Sequence, residues 1–413
     1  MRAERMSSTI RPARWAVTAI FGINGVLIAS LAVRTPSLKQ DLGLSAAQLG
    51  LVSALFGVTG VLTMQVTGAL TARFGSKAVV RVVTPALPVL LLGIGAAPQY
   101  LGMAVLQMAF GAVNGMLDVS MNVHAVAVER AAKRHIINGC HGAWSVGSVI
   151  GALLGSGAAH IGMSRGGHYA VLAVVLTPAA LVAGRFLLPT EPEKDTAAAA
   201  PARRGWSVWR TGWTRQLLVF GAMGATVLTA EAAAADWSGV FLHDVRHATL
   251  GLAGLGYVAF AACETSLRLV GDRIQARVSA RRLLFWSGLT ATAGMTVVVL
   301  SPWPWLGIAG FGVTGLGLAT SLPVLFGLVG HLGAEQAGGD AGAATMVSRF
   351  TTMTYTGIMI GPAIIGWVAH LVGLTWTLTL LIPFLLGTAV AARTVDLTGR
   401  RTEAAPADAD AAQ

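Results

Sequence analysis

Twelve apolar runs partition this chain so thoroughly that few folds remain open to it. They lie near 15–33, 47–72, 78–97, 101–128, 140–160, 168–189, 214–242, 248–271, 282–300, 303–330, 342–370 and 374–393. A helix of about 20 residues crosses the hydrocarbon core of a bilayer. In lipid every backbone N–H and C=O must be bonded within the protein, which leaves helices and closed barrels. The runs are continuous rather than alternating, which disfavours a barrel. Hydrophobic residues make up 54% of the 413 and charged residues only 11%, too few charges to cover a soluble surface of this size. The 51 glycines suit close helix–helix contact. The expected fold is an all-α membrane protein: twelve transmembrane helices in two pseudo-symmetric six-helix bundles.

Charge placement predicts the orientation. Of the 29 Lys and Arg residues, 25 fall on the N-terminal side of alternate spans, and only Arg34, Lys39, Arg165 and Arg246 fall on the other. Basic residues accumulate in cytoplasmic loops, so both termini are expected in the cytoplasm and the number of spans is even. The same clustering into short loops explains the net charge of +11 without a nucleic-acid partner. The first apolar run follows Arg2, Arg5, Arg11 and Arg14. It exceeds a signal-peptide core and more spans follow, so it reads as a retained helix of a multi-pass cytoplasmic (inner) membrane protein.

The predicted organisation is a cytoplasmic N-terminus (1–14), an N-terminal six-helix bundle (15–189), a cytoplasmic linker (190–213), a C-terminal six-helix bundle (214–393) and a cytoplasmic tail (394–413). In the linker Trp206, Trp209 and Trp213 suit either an interfacial helix or a juxtamembrane aromatic belt. The halves echo each other at a shift of about 200 residues, the signature of a duplicated unit. Phe21-Gly-Ile-Asn-Gly matches Phe220-Gly-Ala-Met-Gly, Leu49-Gly-Leu matches Leu250-Gly-Leu, and Ala72-Arg73 matches Asp272-Arg273. Six plus six spans in parallel repeat is an arrangement of secondary transporters.

Polar residues within the spans are the candidate site, because each is costly in lipid. Asp118 stands in the fourth run between Asn114 and Asn122, and steps of four place the three on one helix face. Asp118 is the candidate proton carrier, with a structural polar clamp between helices as the competing reading. Asn114 and Asn122 either hold a polar substrate or orient the carboxyl. Glu231, about sixteen residues into the seventh run, is a second proton-carrier candidate. Asp236, five residues on, does not share its face and reads as an outer gate or as plain solvent exposure. Glu264 and Arg268 are spaced i, i+4 for an intrahelical ion pair. A structural neutralisation competes with a role for Arg268 beside Asp272 and Arg273. His141 and Trp144 share a face at the start of the fifth run, where a Trp platform with a His donor suits a sugar-like or aromatic ligand. An interfacial role for His141 is equally consistent. Asn24 and Tyr355 are further lining candidates, and Arg34 is an exposed cation at the outer end of the first run. Gly147, Gly151 and Gly155, and Gly357 with Gly361-Pro362, read as packing grooves.

The segment Gly68-Ala-Leu-Thr-Ala72-Arg73-Phe-Gly75-Ser-Lys77 resembles the Gly-x-Leu-x-Asp-Arg-x-Gly-Arg-Lys loop motif of the major facilitator superfamily, with Ala72 in place of the usual Asp. Gly271-Asp272-Arg273 is the matching loop of the second half and supplies an Asp. The resemblance implies a cytoplasmic latch formed by Gly68, Arg73, Gly75, Lys77, Gly271, Asp272 and Arg273. Asn114-Gly-x-x-Asp118-x-x-x-Asn122, His141-Gly-x-Trp144 and Glu231 with Ala235-Asp236-Trp237-Ser238 are similar to bacterial carriers near the fucose-permease-like branch. There an acidic residue of the fourth span lies beside the substrate, and Asp118 takes that position. The acidic residue those permeases carry on their first span has no counterpart here.

The expected function is secondary active transport of a small organic solute, sugar-like in size and polarity, coupled to protons by alternating access. The competing readings are a proton-coupled drug or metabolite efflux pump and, in another class, a solute receptor that moves nothing. No Gly-x-x-x-x-Gly-Lys-Ser/Thr loop occurs, so ATP hydrolysis is not the expected energy source. No cofactor, metal cluster or catalytic residue set is expected, and Cys140 and Cys263 imply no disulfide framework. The expected partners are a small-molecule substrate, protons and the lipid bilayer, with the monomer as the working unit.

Overall fold

The computed structural model describes residues 2–189, 213–337 and 339–397. Most of the expected linker, with Trp206 and Trp209, and most of the tail lie outside the described residues, as does the side chain of Asp272. Among the described residues there are helices and no strands. Twelve helices are long and apolar enough to cross a membrane: Thr9–Val33, Ala46–Phe74, Ser76–Ala96, Tyr100–Ala132, Ile137–His160, Arg165–Phe186, Arg215–Val245, Leu250–Gly271, Ala280–Leu300, Pro304–Glu335, Thr345–Val372 and Leu374–Ala391. They are called the first to twelfth spans below. The end of the bundle that holds the start of the first span is the terminus end, and the opposite one the far end.

Local chemistry sets the span boundaries. The second span opens on a reciprocal cap, in which the Gln48 N–H donates to Ser45 Oγ (3.2 Å) and the Ser45 N–H to Gln48 Oε1 (2.9 Å). It closes at Gly75, whose φ of +80° only glycine adopts without strain. Between the first two spans a short helix, Thr35–Leu42, starts with Pro36 in its first turn and stops at Gly43 in the left-handed region. Pro36, just past the end of the first span, thus begins a new helix. The tenth span is interrupted at Ala319–Thr320, and the seventh ends in a π-helical turn, Phe241–Val245.

Packing repeats between the halves. The first span packs on the fifth as the seventh packs on the eleventh. The second packs on the fourth as the eighth on the tenth, and the third on the sixth as the ninth on the twelfth. The contacts between halves are related in the same way, second to eleventh and fifth to eighth. This is the two-fold pseudo-symmetry that the repeat predicted. Glycines make these contacts tight. A Cβ at Gly25 would strike the Trp144 carbonyl, one at Gly147 that of Gly22, and one at Gly151 that of Val26. The expected Gly147–Gly151 groove therefore receives the first span.

The same devices aim Asp118. The second span lays Thr59 and Thr63 against the fourth, their Oγ1 atoms donating to the carbonyls of Met108 (2.9 Å) and Ala112 (2.8 Å). Gly111 and Gly115 meet the backbone of Phe56 and Gly60. Asn114 and Asp118 stand three residues after these glycines, about 60° round the helix, and so turn toward the interior.

At the far end the halves close on each other. Lys39 Nζ meets Asp244 Oδ2 at 2.6 Å, and Ser156 Oγ donates to the Gly251 carbonyl at 2.6 Å. Gly50 lies against Pro362 and Gly366. The four basic residues of this end all have structural partners. Besides Lys39, Arg34 donates to the Met163 carbonyl (2.8 Å), Arg165 to that of Ala97 (3.4 Å) and Arg246 to that of Val299 (2.6 Å). Arg34, expected to be exposed, is 2% exposed: its guanidinium ties down the chain end of the fifth span.

Candidate functional site

Two connected chambers lie between the halves. The wider, about 580 Å³, is lined by Asp118, His141, Trp144, Arg268, Thr320 and Gln275 among others. His141 and Asn138 on its wall are exposed, so it opens toward the terminus end. The deeper, about 250 Å³, reaches toward the far end past Gln107, Glu231, Asp236, Tyr257 and Glu264. Trp144, Ser145, Thr265 and Arg268 line both.

On the N-terminal side a three-helix amide network fixes the wall. Asn24 Nδ2 donates to Asn114 Oδ1 (2.7 Å), and Trp144 Nε1 donates to Asn24 Oδ1 (2.9 Å). One buried asparagine thereby joins the first, fourth and fifth spans and orients the indole. Asn122 Nδ2 donates to the Asp118 carbonyl (2.8 Å) and approaches its carboxylate (3.5 Å). Both flanking asparagines are thus engaged in positioning bonds within the protein. His141 packs edge-on to Phe21, ring centroids 5.2 Å apart, on the same chamber wall as Asp118.

On the C-terminal side one guanidinium serves two acids. Arg268 Nη2 lies 2.7 Å from Glu264 Oε1 and 3.2 Å from Glu231 Oε1. The i, i+4 pair read from spacing is formed, and Glu231 joins it from the seventh span, a contact that no spacing reveals. Glu231 and Asp236, read as facing different ways, line the same deep chamber. Asp236 is hydrogen-bonded to Ser53 of the second span. Tyr355 lies within electrostatic reach of Asp118 and Glu231.

Sequence reasoning missed Gln107 and Tyr257. Gln107 is 6% exposed, lines the deep chamber, and its Oε1 has no hydrogen-bond partner. It precedes Asn114 by seven residues on the fourth span, so the helical period carries the polar stripe back to it. The loop residues read as a latch have the following contacts. Lys77 Nζ donates to the Leu187 carbonyl (2.7 Å), Arg73 stacks over Phe74 at 5.1 Å, Gly68 has open space about its Cα atom, and Gly271 lies near the Thr320 and Gln275 side chains. Arg273 is exposed. Cys140 and Cys263 are free thiols, and no group of His, Cys and acidic residues among those described has metal-site geometry.

Comparison with known proteins fits this geometry. Residues 15–350 match the family model of the Major Facilitator Superfamily. The chain is 32% identical over 379 residues to an uncharacterised MFS-type transporter of Yersinia pestis, covering 91% of this chain and 94% of that one. It is 31% identical over 362 residues to the membrane protein MosC of Rhizobium meliloti, covering 87% and 84%. Among solved structures it resembles the nucleoside transporter NupG, with a TM-score of 0.75 at 14% identity over 93% of this chain and 98% of that one. It also resembles a bacterial homologue of the lysosomal transporter Spinster in an inward-facing, unoccupied state, with a TM-score of 0.72 at 14% identity over 94% and 98%. At that identity the likeness is one of fold. Twelve spans, a duplicated architecture and the match over most of its length place the chain in the Major Facilitator Superfamily, as a multi-pass membrane transporter.

Proposed function

We propose that the protein is a secondary active carrier that moves a small organic solute of about sugar size across the cytoplasmic membrane by alternating access, with protons as the coupling ion. The observation that carries this reading is the central cavity. Titratable groups from both halves, Asp118, Glu231 and Glu264 with Arg268, meet there, while contacts between the halves seal the far end. A carrier needs a site that both halves share and a seal on one side of it at a time. Rocking the halves about this site would part the Lys39–Asp244 closure and bring together the terminus-end loops that contain Arg73, Lys77, Asp272 and Arg273.

In this scheme the units that move are the bundles 15–189 and 214–393, and the monomer suffices. Both termini lie in the cytoplasm, on the side where 25 of the 29 basic residues fall. Asp118 and Glu231 carry the proton. Trp144, positioned by Asn24, and His141 contact the solute, with Asn114, Asn122 and Tyr355 shaping the wall. A proton on one carboxyl lowers the cost of moving the loaded carrier between its states.

Proteoliposomes under an imposed pH gradient test this. A panel of labelled sugars, amino sugars and small metabolites is offered in both directions, and the direction in which the gradient drives accumulation separates uptake from efflux. Asp118→Asn is expected to abolish gradient-driven accumulation while leaving binding in place. Unchanged coupling in that variant removes Asp118 from the mechanism. Binding without flux in either direction would identify a receptor instead.

A further inference from the structure

One face of the seventh span runs from the deep chamber into the far-end closure. We propose that this face is a two-layer gate, with Asp236 and Ser53 as its inner lock and Asp244 and Lys39 as its outer one, held in line by a π-helical turn. The gate rests on the carrier reading and deepens it, by naming the residues that govern access from the far side.

Three contacts with the N-terminal half follow one another along this span. Asp236 is hydrogen-bonded to Ser53 of the second span, and both line the deep chamber. The bond serves a carboxylate and a protonated acid alike, since either presents an oxygen that accepts from the hydroxyl. Just short of one turn on, Gly239 lies so close to Pro36 that an added Cβ would come within 2.7 Å of its ring. At the end of the span Asp244 meets Lys39 at 2.6 Å. Eight residues of helix set the two acids about 12 Å apart along the axis. The inner pair is thus a wall of the chamber, and the outer pair closes the path beyond it.

The π turn Phe241–Val245 brings the two acids into register. In an unbroken α-helix Asp244 would stand about 80° round the axis from Asp236. Hydrogen bonds to the fifth residue wind fewer degrees per residue, which swings Asp244 back toward the face of Asp236. The turn is anchored wholly in the C-terminal half. The Arg246 N–H donates to the Phe241 carbonyl (3.3 Å), and its guanidinium stacks over the Phe241 ring (4.8 Å) and donates to the Val299 carbonyl (2.6 Å). Leu242 fills the space beside Gly256 and Gly307, where an added Cβ would come within 2.6 and 2.9 Å of it. The turn therefore travels with its own half, and both acids meet or leave the N-terminal half together. Such turns occur mostly at functional sites, and here the function is alignment of the gate.

A reporter cysteine at Ser145, which lines both chambers, tests the gate in the full-length protein. The two native thiols are removed as Cys140→Ala and Cys263→Ala. An impermeant thiol reagent is offered to sealed vesicles of each orientation, so that labelling from the far end and from the terminus end is timed separately. Ser53→Ala and Asp236→Ala are each expected to raise the far-end rate about threefold or more, the scale of one hydrogen bond, and to lower the terminus-end rate. The two together are expected to do no more than either alone, and Ser53→Thr, which keeps the hydroxyl, to stay near the parent. Unchanged rates overturn the inner lock. So do rates that rise from both ends, which mark loosened packing rather than a gate. Deletion of His243 takes the extra residue out of the turn, and Arg246→Gln frees the turn without shortening the chain. In either chain Lys39→Ala is expected to add nothing to the far-end rate, and an undiminished effect overturns the role of the turn. The carrier and the gate fail separately. Reciprocal labelling without flux of any solute keeps the gate and removes the carrier, while flux with labelling indifferent to Ser53 and Asp236 does the reverse.

Discussion

At the residue scale the site depends on how each polar side chain is partnered. Asn24 is the clearest case. It spends its amide on Asn114 and its carbonyl on the Trp144 indole, so one side chain orients two others on different helices. Interhelical bonds of this kind contribute roughly 0.6 kcal/mol each in membrane proteins. Asn24→Ala is therefore expected to cost about 1 kcal/mol of stability by thermal melting, with a larger proportional loss in ligand-induced fluorescence change, because the Trp144 ring loses its anchor. Arg268 carries more. Removing one member of a largely desolvated ion pair costs on the order of 3 kcal/mol, since the charges left behind have no partner. Arg268→Met is expected to lower the melting temperature, and Glu231→Gln in the same chain to restore much of it. A double variant no more stable than the single would show that Glu231 and Arg268 do not interact.

At the element scale glycine placement decides which helices meet. Gly25, Gly147 and Gly151 let the first and fifth spans touch backbone to backbone. Gly147→Leu is expected to destabilise by about 3 kcal/mol or more, because a backbone cannot yield as a side chain can. Gly139→Ala, with nothing within 4 Å of its added carbon, is expected to be tolerated, and expression with size-exclusion profiles compares the two. The far-end closure is weaker by nature. Lys39 and Asp244 are 25% and 33% exposed, and an exposed pair contributes up to about 1 kcal/mol. That is still enough to bias a conformational equilibrium about fivefold. Charge reversal of either residue is expected to raise labelling of a cysteine placed at Ser53 by an impermeant thiol reagent added at the far side. The double reversal, Lys39→Asp with Asp244→Lys, is expected to bring it back. Equal labelling in all three would remove the pair from the gate.

At the scale of the whole molecule the orientation proposed from charge is tested by labelling in intact cells. A cysteine at Trp303, exposed at the far end, is expected to react from outside. One at Lys133 is expected to react only after permeabilisation. The opposite pattern would invert the topology and assign the open chamber to the outside.

Much of this was legible in the chain before any coordinates. The twelve spans were, because a bilayer imposes one length and one polarity on every crossing helix, and both are local properties. The duplication was, because the two halves retain paired glycine and charge positions. Asp118, Glu231 and Arg268 stood out because a charged residue in an apolar run is conspicuous wherever it points. The tertiary structure alone decided how these residues combine. Spacing gave the Glu264–Arg268 pair, which lies within one helix turn, but not Glu231, which reaches Arg268 from another span. It suggested an exposed Arg34 where packing buries the side chain against the Met163 carbonyl. It passed over Gln107, which lines the deep chamber seven residues before Asn114 on the same span. A helical period says which residues share a face of one helix. Which faces of twelve helices enclose a common space is set by where glycines allow backbones to touch, and only the packed structure specifies that.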